Sequence, residues 1–137
     1  VRDEGTSKTY IDSIYPAIPD YELFGACVEA ARKEMIPFHV GLGRSHDSFY
    51  TDREDEIDAL WASKDVLGAD METAALYVIG RLRGVHTASI LNTVVEYEEN
   101  LEENINNYTD GASRMMQGEL NEIHTALEAI YTVSQAE

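Results

Sequence analysis

Along this chain, apolar residues recur at helical spacing in several long runs, and shorter runs at strand spacing lie between them. Phe24, Cys27, Val28, Ala31 and Met35 form one stripe, so Tyr21 to Met35 reads as an amphipathic helix, capped by Asp20 and stopped by Pro37. A second helix begins in the acidic run Asp52 to Asp58, with Ile57, Leu60 and Trp61 on its inner side. The third opens at Asp70-Met71-Glu72 and carries Leu76, Ile79 and Leu82, with Ala75 and Val78 beside them. Arg81 and Arg83 fall in its last turn, and Gly84 suits the left-handed position just past a helix end. The last helix is the longest: Met116, Leu120, Ile123, Leu127 and Ile130 step by four and three throughout.

The spacing between the helices predicts strands over Val1–Glu4, Phe38–Arg44 and Val85–Asn92. Gly41 and Gly43 in the second of these imply close approach by backbone or ligand. Tyr10 to Pro19 reads as an extended loop, and the acidic segment Glu96 to Asn104 as a loop able to act as a flap. This order argues for α/β layers around a mostly parallel sheet. About three strands are fewer than the roughly five to six of an ordinary sheet, so an edge is left needing partners. Either another chain completes the sheet or the sequence is part of a larger domain.

A length of 137 residues suits one domain, and a net charge of −16 disfavours duplex nucleic acid and anionic membrane as partners. Only ten lysines and arginines are available for an anionic ligand, so phosphate binding would need them concentrated or supplied from elsewhere. No apolar run is long enough to cross a bilayer as a helix. Cys27 alone cannot form an intramolecular disulfide, and its place on an apolar helix face reads as structural, in a reducing compartment.

In a βαβ arrangement ligands bind at strand ends and helix starts, where Asp70, Glu72 and Asn92 are expected. Asp70 and Glu72 can serve as a helix cap and first-turn acid; they can also accept hydrogen bonds from a pair of sugar hydroxyls or stabilise a cationic sugar. His39, His46, His86 and His124 show neither an i, i+4 pair nor cysteine partners at zinc spacing, so no metal site is expected. The run Asp52 to Asp58 lacks the central glycine of a calcium loop.

Asp70-Met71-Glu72-Thr73-Ala74-Ala75 resembles the Glu-Met-Glu-(Ser/Ala)-Ala signature of the nucleoside phosphorylases. Val1-Arg2-Asp3-Glu4-Gly5-Thr6-Ser7 is similar to that family's Val-Arg-x-(Asp/Glu)-Gly-(Ala/Thr)-Ser segment. His39-Val40-Gly41 followed by Ser45 to Tyr50 resembles the His-Val-Gly…Asp-(Thr/Ser)-Phe-Tyr stretch of its uridine phosphorylases. The landmarks occur in the family's order and cover nearly the whole chain.

The resemblance implies a three-layer α/β/α sandwich with a mixed central sheet, here incomplete. It implies reversible phosphorolysis of uridine to uracil and ribose 1-phosphate, with phosphate as co-substrate and no cofactor. Glu72 would accept the ribose 2′-hydroxyl, Met71 would pack on the sugar, and Asp70 would take the place of the first glutamate. Phe49 would line the pocket, and Ile90, Leu91, Asn92 and Thr93 would form the wall on the base side. Where the family carries Gln-x-Arg to grip uracil, this chain has Arg53-Glu54-Asp55, with Arg53 at the glutamine position. Asn92-Thr93 lacks the acid by which purine-specific relatives protonate their base, which leaves purine phosphorylase or nucleosidase activity as the alternatives within the fold. Family members are longer, and their N-terminal half carries the phosphate-binding loop. Residues 1–137 are therefore expected to be the C-terminal part of one such domain, in a cytoplasmic homo-oligomer of the hexamer-of-dimers type. An alternative from a different class, favoured for the chain in isolation by the missing phosphate loop, is a non-catalytic fragment that binds nucleoside or serves in assembly.

Overall fold

A computed structural model describes residues 1–95 and 113–136; the acidic segment Glu96 to Asn104 lies outside them. The chain divides into two compact units. The first comprises Val1–Phe24 with Phe38–Ser89, and the second Gly25–Pro37 with Ile90–Glu137.

A parallel sheet forms the first unit, in the order β1 (Arg2–Asp3), β2 (Leu42–His46), β3 (Val66–Asp70). A 3-10 turn at Ser7–Thr9 follows β1. Helix α1 (Tyr21–Lys33) begins in this unit and continues into the second. Helix α2 (Glu54–Ala62) lies against β3, and α3 (Thr73–Leu82) packs on β2 and the 3-10 turn. On α3, Ala74 and Val78, one turn apart, are buried, and so is Gly80, where a Cβ would fall 2.5 Å from Thr87 Cγ2. Leu76 and Leu82, which recur at helical spacing in the sequence, are 46% and 40% exposed.

Asp20 starts α1 as the sequence predicts, its Oδ1 accepting the N–H groups of Glu22 and Leu23 at 3.1 and 3.0 Å. The helix ends in a Schellman arrangement: Met35 N–H donates to Arg32 O, and Ile36 N–H to Ala31 O. Met35 holds the left-handed position at φ 54° with its side chain exposed, which leaves it outside the predicted apolar stripe. Met35→Gly should therefore raise stability by about 1 kcal/mol in urea titrations. The end of α3 has the same geometry with the residue expected there, Gly84 at φ 69° and Val85 N–H donating to Gly80 O at 2.8 Å.

One expectation about the sheet is corrected. Val85–Asn92 forms no strand; the place beside β2 is taken by Val66–Asp70, a segment whose Gly68 and Ala69 hide its strand pattern. The three described strands pair in parallel, in keeping with the mostly parallel sheet that the order of elements predicts. β2 also begins at Leu42 instead of Phe38, with a register irregularity between Leu42 and Gly43. What approaches Gly41 is a side chain, not backbone or ligand: a Cβ there would fall 2.4 Å from Leu67 Cδ1.

In the second unit α4 (Ser113–Ser134) buries Thr125 and Ala129. Its apolar stripe does not face inward: Met116, Leu120, Ile123, Leu127 and Ile130 are each 49 to 62% exposed. An ion pair of 2.5 Å joins Glu128 on α4 to Lys33 at the end of α1.

Candidate active site

The three strands run the same way, so their C-terminal ends gather on one side of the sheet, and Asp70-Met71-Glu72 follows directly from β3. Asp70 is turned into the fold. Its Oδ1 accepts the Ser45 hydroxyl at 2.5 Å, and its Oδ2 accepts the Thr73 N–H at 2.8 Å. Ser45, 2% exposed, also accepts the Ala74 N–H at 2.8 Å. One serine on β2 thus satisfies a free amide in the first turn of α3 and fixes the carboxylate before it.

Glu72 behaves differently. It stands at the N-cap of α3, exposed, and Met71 N–H donates to its Oε2 at 3.1 Å. Among the described residues that is the one hydrogen bond of its side chain, so Oε1 is open to a hydroxyl donor. Met71 is half-buried beside it. Thr73 Oγ1 and Ser89 Oγ lie 2.8 Å apart, returning the chain after α3 to the start of that helix.

Phe49 and Tyr50 follow β2 with ring centroids 4.9 Å apart, edge to face, and Phe49 is 42% exposed. Arg53, expected to reach a base, instead holds Glu56 through Nε at 2.9 Å and Nη2 at 2.7 Å. Those hydrogen bonds, with the attraction between the charges, hold the Glu56 carboxyl below its ordinary value. Among the described residues no group of three histidines, cysteines or acids is placed to hold a metal.

Ile90, Leu91, Asn92 and Thr93 belong to the second unit. Leu91 and Thr93 are exposed there, and Ile90 is half-buried. Asn92 is committed to α4: its Nδ2 donates to Met115 O at 3.1 Å, and its side chain occupies the space over Gly118. Loss of water pushes the neighbouring Glu122 carboxyl up, partly offset by the Asn92 N–H. A Cβ on Gly118 would fall 2.0 Å from Asn92 Oδ1. Gly118→Ala should gain about 1 kcal/mol of helix propensity and lose a hydrogen bond of about the same worth. Stability then stays nearly level while the Asn92 side-chain amide resonances shift.

Sequence reasoning missed the groups that hold this end of the sheet. Arg2 donates to the carbonyls of Ile11, Asp12 and Tyr15 and to Ser7 Oγ, while buried Glu4 accepts the N–H and the hydroxyl of Ser7. Arg44, 8% exposed, pairs with Asp3 at 2.7 Å and lies 5.5 Å over the Trp61 ring. An inward-facing arginine or serine leaves no periodic mark; the resemblance at Val1 to Ser7 was the one signal.

The family model described as the phosphorylase superfamily matches residues 1–118. A uridine phosphorylase structure from Vibrio fischeri ES114 superposes with a TM-score of 0.82 at 46% identity, over 95% of this chain and 52% of that one. The guanosine phosphorylase of Halorubrum lacusprofundi is 35% identical over 89 residues, 65% of this chain and 36% of its own length. The uridine phosphorylase of Treponema pallidum is 31% identical over 101 residues, 66% of this chain and 39% of its own. The chain thus spans about half the length of the matched structure and less of these curated relatives. With its strand-end acids in place and its match running through most of the sequence, this chain belongs to the phosphorylase superfamily.

Proposed function

We propose that this chain forms the nucleoside-binding part of a uridine phosphorylase, which converts uridine and phosphate reversibly to uracil and ribose 1-phosphate. The observation that carries the proposal is the division of labour between two neighbouring acids. Asp70 is held inward by Ser45 and Thr73, while Glu72 stands exposed at the strand end with an oxygen free. Glu72 accepts the ribose 2′-hydroxyl, Met71 packs on the sugar, and Phe49 lines the pocket. Phosphate attacks the anomeric carbon as the glycosidic bond breaks, and the negative charge of Glu72 favours the cationic sugar of the transition state. No covalent enzyme intermediate is needed, and phosphate enters as co-substrate without a cofactor.

Cations for that phosphate are scarce here. Arg2 is spent on loop carbonyls, Arg44 on Asp3 and Arg53 on Glu56. The proposal places the phosphate site on polypeptide outside residues 1–137, within a cytoplasmic homo-oligomer serving pyrimidine salvage, and the chain's share of its relatives' length is in keeping with that. A second reading, purine phosphorolysis, draws on the guanosine phosphorylase relative. Free-base release from uridine and from inosine, with and without phosphate, separates them. Uracil released only with phosphate supports the proposal; hypoxanthine release, or release without phosphate, overturns it.

A further inference from the structure

Glu72 has little hold of its own on the turn it occupies. At the N-cap of α3 it makes no capping bond with its side chain and stands outside the helical conformation, at φ −125° and ψ −34°. The residues on either side of it are tied instead. Asp70 is held by the Ser45 hydroxyl and by the Thr73 N–H. Thr73 is held in turn by the 2.8 Å bond between its hydroxyl and that of Ser89.

The Thr73 hydroxyl is surplus to helix formation. At the start of α3 the Thr73 N–H is served by Asp70 and the Ala74 N–H by Ser45, and the Leu76 N–H makes the first helical bond, to Glu72 O. What the hydroxyl adds is a tie to a segment outside the helix, since Ser89 lies beyond Gly84 and the far end of α3. Among the described residues neither hydroxyl has another side-chain or backbone partner. Both residues are half-buried, where water competes less for the bond. We infer that Thr73 and Ser89 are positioning residues for Glu72, a role that rests on the proposed reading of Glu72 as the ribose acceptor. Their bridge fixes one side of the turn as Ser45 and Asp70 fix the other, and so sets where the free Glu72 oxygen meets the 2′-hydroxyl. Discrimination between ribose and 2′-deoxyribose nucleosides then depends on two residues that touch neither sugar.

The test compares uridine with 2′-deoxyuridine, which lacks the hydroxyl that Glu72 accepts, in the complete phosphorolytic assembly. Thr73→Val keeps the shape of the side chain and removes its hydroxyl. It should lower kcat/KM for uridine by about threefold to tenfold, within the worth of one hydrogen bond, and that for 2′-deoxyuridine by less than about twofold. Ser89→Ala should do the same, the two changes together should cost no more than either alone, and Thr73→Ser should restore both values. Glu72→Ala, assayed beside them, should lose more on uridine than on 2′-deoxyuridine. If it does, while Thr73→Val loses nothing or loses equally on the two nucleosides with a lowered urea midpoint, the positioning role is overturned and the proposed function stands. If Glu72→Ala itself loses equally on both, the ribose assignment falls and the positioning role falls with it.

Discussion

Glu72→Ala, measured in the complete phosphorolytic assembly, should lower kcat/KM for uridine by on the order of tenfold to a thousandfold while leaving the chain's stability nearly unchanged. Hydrogen bonds to a charged group are worth about 1.5–3 kcal/mol, and the charge itself acts on the cationic sugar. Little of that enters folding, because the side chain is exposed and its described bond is the 3.1 Å contact with the Met71 N–H next to it. Steady-state kinetics beside a urea titration separates the two quantities. Turnover close to that of the unmodified protein would remove Glu72 from the ribose site.

The opposite outcome is expected one strand away. Ser45→Ala should cost about 2–4 kcal/mol of stability, seen as a lower urea midpoint, since it deletes two hydrogen bonds at a buried position. The Ala74 N–H, in the first turn of α3, is left without a partner, and Asp70 loses the donor on Oδ1. Loosening of that turn should also raise KM for nucleoside more than it lowers kcat, because Glu72 sits on the same turn. If the urea midpoint does not move, the serine is not the fastener between β2 and α3.

Local chemistry was legible where a residue acts on its own neighbours. Asp20 as a cap and Gly84 beyond α3 both follow from rules that operate within a few residues. Long-range pairing was less so. Val85–Asn92 has the composition of a strand yet forms no ladder, because a strand exists only where an edge receives it. In Val66–Asp70, Gly68 and Ala69 dilute the apolar signal of a strand, although its register with β2 is what builds the site. The carboxylates at Asp70 and Glu72 could be found from sequence, but their different environments could not: both are acids at a helix start, and only Ser45, a residue on another strand, distinguishes them. In α3 and α4 the pattern correctly marked which side chains are apolar; it carried no information on whether anything lies against them.

The exposed stripe of α4 constrains the shape of whatever packs there. Met116, Ile123 and Ile130 are spaced by seven residues, as are Leu120 and Leu127, whereas an α-helix turns once in about 3.6 residues. A seam with that period drifts around a straight helix, and it stays in contact only with a surface that coils left-handed at a shallow angle of roughly 20°. A helix packed on this stripe would keep contact along its length only by lying almost alongside α4, its side chains set into the holes between Leu120, Ile123 and Leu127.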